Sequence, residues 1–72
     1  MSIIVHDGRL RFEIACRGCS ASDLAREARL SRATISAALS GRPVAASSVA
    51  LIARAFAKSP PDEIIVRLLV GE

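Results

Sequence analysis

The sequence predicts an all-α fold, a compact bundle of about five short helices, and three observations carry that expectation. The first is composition: hydrophobic residues make up 51% of the chain, yet only two are aromatic and many are alanine. Alanine favours helix and lets backbones approach, so such a core is built from close-packed helices. The second is periodicity, because apolar residues recur at helical spacing through most of the chain instead of alternating. The third is punctuation: serines precede the periodic stretches, and glycine or proline follows them. Strand signals are confined to the two ends, SIIV and EIIVRLLV.

The first helix is expected from Asp7 to Arg17, where Leu10, Ile14 and Arg17 form one stripe beside Phe12, Ala15, Cys16 and Cys19. Gly18 then stands where a left-handed residue closes a helix. Ser20 is the next N-cap, with Asp23 three residues on to close a capping box. That aspartate is shorter than the glutamate usual there. Cys19 and Leu24 form the accompanying hydrophobic staple, and Leu24, Ala25 and Ala28 face inward. The same start signal recurs eleven residues later, with Ser31 as cap and Leu30 and Ile35 as staple. A third helix runs on to Gly41, and Pro43 prevents any extension. In that helix Ile35, Ala38 and Leu39 are expected inward, and Arg32, Ala33, Ser36, Ala37 and Ser40 outward. Two capped short helices so close together predict a helix-turn-helix.

The stretch GRPVAAS reads as a loop leading to Ser47 and Ser48, after which Val49, Ile52, Ala53 and Phe56 take helical spacing. The last segment, SPPDEIIVRLLVGE, predicts a fifth helix, with Ser59 as cap, prolines in the first turn and acids near the positive end. A strand pairing with SIIV is the alternative. So much apolar surface near a terminus calls for a partner subunit or a continuation of the chain. The organisation is one domain, 1–72, with a core at 7–58 and an apolar C-terminal segment at 59–72.

The net charge is +3 and the pI about 9.7, and the distribution says more than the total. Arg26, Arg29, Arg32, Arg42 and Arg54 lie in the middle, opposed only by Glu27. The other acids are Asp7, Glu13, Asp23, Asp62, Glu63 and Glu72. That pattern predicts one electropositive face. No apolar run reaches the length of a membrane span. The opening MSIIVHD also lacks the basic start and cleavage site of a signal peptide, so a soluble, intracellular protein is expected.

Residues 16 to 19 read CRGC, a spacing shared by zinc and redox sites. Structural zinc needs four ligands, and only His6 and scattered carboxylates remain to complete the set. A redox pair places its first thiol at a helix N-terminus, whereas Cys16 falls on a last turn. The expected roles are therefore core for Cys16 and staple for Cys19, with no metal and no cofactor. His6 has no catalytic partner, the serines read as caps, and no phosphate loop is present. Nothing points to an enzyme.

SASDLAREARLSRATISAALSGR carries the functional signal. A slim outward face of Arg32, Ala33, Ser36 and Ala37 suits a helix entering the major groove. There arginine meets guanine, alanine meets thymine methyls and serine meets either base. From Leu10 to Phe56 the chain resembles the lambda-repressor-like helix-turn-helix domain, the Cro or XRE type found in phage repressors. The resemblance runs through Gly18, Ser20, Leu24-Ala25, Ala28, Ser31, Thr34-Ile35-Ser36, Gly41 and Leu51-Ile52-Ala53-Arg54-Ala55-Phe56.

The resemblance implies base contacts from Arg32, Ala33, Ser36 and Ala37. It implies phosphate contacts from Thr34, Arg42 and the helix starts at Ser20, Ser31, Ser47 and Ser48. It also implies a bacterial or phage-encoded transcriptional repressor or regulator in the cytoplasm, binding double-stranded DNA as a dimer. Ile64, Ile65, Leu68 and Leu69 are the candidate dimer contacts.

Two positions depart from the family pattern. Arg29 stands where the family has a turn glycine, at a cost of about 1–2 kcal/mol if φ is positive, and is a candidate phosphate contact. Ile14 and Leu39 replace a family arginine–glutamate pair, both apolar together. Three alternatives stay open on the residues: an antitoxin whose C-terminal segment binds a toxin, a protein-interaction module without DNA, and a metal domain built on CRGC.

Overall fold

Five helices and one two-stranded ribbon make up the protein in the computed structural model, which describes residues 1–71. In chain order these are β1 (Ser2–Ile3), α1 (Asp7–Cys16), α2 (Ala21–Ala28), α3 (Arg32–Leu39), β2 (Val44–Ala45), α4 (Ala46–Lys58) and α5 (Glu63–Val70). The helical expectation is met, and the last segment is helix, not strand.

Local chemistry explains most boundaries. The Nδ1 atom of His6 accepts the Arg9 N–H at 3.0 Å and opens α1, so the lone histidine has a capping role. Ser20 Oγ accepts the Asp23 N–H at 3.1 Å while Asp23 Oδ2 accepts the Ser20 N–H at 2.9 Å, the full capping box. Ser31 Oγ accepts the Thr34 N–H at 3.1 Å and opens α3.

Four expectations need correction. Ser59 does not cap α5: it ends α4, and Asp62 Oδ1 takes the cap, accepting the Ile64 and Ile65 N–H groups at 2.8 and 3.1 Å. A carboxylate directly after the prolines is better placed than a serine ahead of them. Helix α4 starts earlier than Ser47 or Ser48. Its cap residue is Ala45, without a side-chain bond, and the Ala46 N–H donates to the Met1 carbonyl at 3.0 Å. The reason lies in the supposed loop, where Val44 and Ala45 pair antiparallel with Ile3 and Ser2 and β2 runs straight into α4. SIIV is thus partly a strand, but its partner is Val44–Ala45 and not the C-terminal segment. On α4 the inward residues are Ile52 and Ala55, whereas Ala53 is exposed.

The core gathers Leu10 and Ile14 of α1, Leu24, Ala25 and Ala28 of α2, Ile35 and Ala38 of α3, Val44, and Ile52 and Ala55 of α4. Alanine at four of these positions lets the helices approach closely, as the composition predicts. Ile35 is 0% exposed, and its burial contributes about 1.5–3 kcal/mol to holding α3 in place. Helix α3 packs on α2 and α1, α2 on α4, and α5 on α1. Ile14 and Leu39 line one groove between α1 and α3, neighbours as an apolar pair.

Arg17 fastens the far end. Only 10% of its side chain is exposed, and it donates to Glu13 Oε1 at 2.8 Å and to the Ser59 carbonyl at 2.6 Å. Its guanidinium also lies 4.4 Å from the Phe56 ring centroid. With the Asp62 N–H donating to the Cys16 carbonyl at 2.9 Å, this seats the chain entering α5 against the end of α1.

Candidate nucleic-acid interface

The connection from α2 to α3 sets the outward face of α3. Arg29 adopts φ 57 and ψ 43, the left-handed conformation that the sequence puts at a cost, and is the only non-glycine with positive φ among the described residues. The Arg29 N–H donates to the Arg26 carbonyl at 3.2 Å and the Leu30 N–H to the Ala25 carbonyl at 2.9 Å. That bond pair closes α2 and turns the chain into Ser31, with an arginine as the left-handed residue.

Arg32, Ala33, Ser36 and Ser40 are exposed along α3, opposite Ile35 and Ala38. Ala37 differs from expectation: it is half-buried and packs against the core, because it sits at the edge of the helix face turned toward the bundle. Leu39 is half-buried as well. Arg32 Nη2 donates to Ser22 Oγ of α2 at 2.8 Å, tying the first residue of α3 to the preceding helix. Arg32, Ser36 and Ser40 border one groove together with Arg11 and Ser22.

The expected phosphate contacts are more dispersed. Arg29 and Arg42 are exposed at the two ends of α3. The Ser20 hydroxyl is held within its capping box, and the Ser31 hydroxyl lies 2.9 Å from that of Thr34, which is half-buried. Ser47 and Ser48 occupy the first turn of α4, outside that groove. On α5, Ile64 is 60% exposed and Leu68 77%, and Leu69 is also exposed. Ile65 is half-buried, its Cδ1 over Gly18.

Electrostatics separate two groups of arginines. Glu13 pairs with Arg9 and Arg17, and Asp23 with Arg26. The Arg17 hydrogen bond holds the Glu13 carboxyl below its ordinary range, and the backbone N–H and hydroxyl of Ser20 do the same for Asp23. No ion pair among the described residues involves Arg11, Arg29, Arg32 or Arg42. The unneutralised positive charge therefore includes the border of the α3 face.

Both cysteines are free. Cys16 is 2% exposed, and the Cys19 Sγ lies 3.6 Å from the Ile14 carbonyl. Burial, reinforced by the nearby Asp23 carboxylate, pushes the Cys19 thiol up, away from the thiolate that redox chemistry needs. Cys19 packs on the core and lines the same cavity as Leu24, as a staple residue would. Among the described residues no three His, Cys, Asp or Glu side chains converge.

Sequence reasoning missed Arg11 and Ser22. Arg11 Nη2 donates at 2.8 Å to the carbonyl of Leu39, twenty-eight residues away, and no local pattern announces such a bond. Comparison with protein-family models finds no matching family, and no curated protein and no solved structure matches the chain. Among the described residues no helix is long and apolar enough to cross a membrane.

Proposed function

We propose that this protein binds double-stranded DNA in a sequence-specific manner, as a transcriptional repressor or regulator of the phage or prophage type. In this reading α2, the turn at Arg29 and α3 act as a helix-turn-helix, with α3 in the major groove. The observation that carries it is the division of α3. Ile35 and Ala38 are wholly buried, while Arg32, Ala33 and Ser36 stand exposed beside arginines that no carboxylate among the described residues neutralises. A solvated face in an ordinary bundle has no need of that charge pattern, whereas DNA does.

Arg32 reads guanine, Ala33 and the edge of Ala37 meet thymine methyls, and Ser36 bonds either base. Arg29, Thr34, Arg42 and the helix starts at Ser20, Ser31, Ser47 and Ser48 hold phosphates. Two copies bind a two-fold operator, its half-sites about one helical turn apart. The exposed Ile64, Leu68 and Leu69 of α5 serve the dimer contact, joined by Ile65 at their margin. The same apolar row supports the second reading, an antitoxin-type regulator whose α5 binds a toxin. Co-purification of a partner bound through α5 distinguishes it.

Binding-site selection followed by fluorescence anisotropy tests the proposal. Arg32→Ala is expected to weaken binding by about 1–3 kcal/mol and to relax preference at one base position. Affinity that does not fall with salt, or no DNA retention at low salt, overturns the reading.

A further inference from the structure

The groove bordered by Arg11, Ser22, Arg32, Ser36 and Ser40 has a cavity volume of about 350 Å³ and lies between α1, the start of α2 and the outward face of α3. Two guanidiniums border it, and each is positioned by one neutral oxygen: Arg11 by the Leu39 carbonyl and Arg32 by Ser22 Oγ, both at 2.8 Å. A guanidinium carries five N–H donors, so each keeps donors beyond the one engaged. Neither has a carboxylate partner among the described residues, whose ion pairs join Glu13 to Arg9 and Arg17 and Asp23 to Arg26. Two guanidiniums without an ion pair among the described residues and the hydroxyls of Ser22 and Ser36 border a groove able to take an oxyanion, while the Ser40 hydroxyl is engaged, donating to the Ser36 carbonyl at 2.8 Å.

Resting on the DNA-binding reading above, we propose that this groove seats one backbone phosphate of the bound duplex, with Arg11 as its principal ligand and Ser22 supplying a hydroxyl. The two arginines then divide the work. Arg32 is turned across the groove by Ser22 and keeps its free edge for a base. Arg11 is anchored on the last residue of α3 and fixes how deep that helix sits. A phosphate contact tied to the end of the reading helix sets register, while the base contact at its start sets preference.

Arg11→Gln removes the charge while keeping a polar side chain. Thermal melting checks that the variant is folded. Against the selected operator and its single-base variants, Arg11→Gln is expected to lower affinity about five- to tenfold and nearly uniformly. The slope of log K against log salt becomes shallower by about 0.9, the value for one lost phosphate contact. Arg11→Lys restores the slope.

Duplexes carrying one neutral methylphosphonate at a time locate the contact. One substitution that weakens the parent protein is expected to have no further effect on Arg11→Gln. If the slope is unchanged and every methylphosphonate penalty persists while the parent protein binds DNA, the seat is refuted and the DNA reading stands. If the parent protein binds no duplex at low salt, both fall.

Discussion

Helices α1, α2 and α3 end in the same way but on different residues, and the difference singles out one turn. At the end of α1, the Gly18 N–H donates to Ala15 at 3.0 Å and the Cys19 N–H to Ile14 at 3.4 Å. At the end of α3, the Gly41 N–H donates to Ala38 at 3.3 Å and the Arg42 N–H to Ala37 at 2.9 Å. The end of α2 repeats that bond pair around Arg29. All three turn residues are left-handed, with φ of 63, 57 and 71, yet only the central one carries a side chain. Glycine enters that region at little cost, while arginine strains the backbone by about 1–2 kcal/mol. Strain of this kind persists at functional positions. An exposed arginine without an ion pair among the described residues, on the turn into α3, suits the proposed phosphate contact.

Three experiments sharpen or break that comparison. The largest effect is expected from alanine at the two glycine turns, measured by chemical denaturation. Gly18→Ala should lose about 1–2 kcal/mol, from backbone strain and from crowding against the neighbouring side chain. Its new Cβ would lie 3.0 Å from Ile65 Cδ1, so amide exchange in α5 should quicken as well. Gly41→Ala meets open space, so strain acts alone, about 1 kcal/mol with α5 unaffected.

The second experiment reverses the substitution. Arg29→Gly should stabilise the fold by about 0.5–1 kcal/mol, the relief of strain less the greater freedom of unfolded glycine. The same variant should bind DNA more weakly with a shallower salt dependence. Greater stability with unaltered binding would leave the arginine without a reason.

The smallest effect concerns acid. Both Glu13 and Asp23 are held below their ordinary values by hydrogen bonds formed only in the fold. Their contribution is therefore complete above the ordinary carboxylate range and is lost as pH falls through the lowered values. The melting temperature should decline on that acid side. Asp23→Asn, which keeps an acceptor for the Ser20 N–H but does not titrate, should flatten part of the decline without touching the turn at Arg29.

Much of this architecture was legible because its signals are local. Ser20 with Asp23, Ser31 with Thr34, and Gly18 and Gly41 all act over a turn or two, the range in which helix ends are decided. The candidate face at Arg32, Ala33 and Ser36 followed from helical period once Ile35 was inward. Ala37 lay at the edge of that face, where period alone does not say how closely the core crowds it. Ser47, Ser48 and Ser59 misled for the converse reason. Each was a serine near a helix start, but an acceptor from another element or a better carboxylate had taken the role.

By itself the sequence determined an all-α chain with the boundaries of α1, α2 and α3, a buried Ile35, and the left-handed turn at Gly18. Each of these depends on residues within a few positions of one another. Only the tertiary structure decided the ribbon between Ser2–Ile3 and Val44–Ala45, the start of α4 and the seating of α5 by Arg17. It also decided that Arg11 meets the end of α3. Those bonds join residues more than twenty and up to forty-five positions apart, and which distant carbonyl a guanidinium reaches is set by how the buried faces pack.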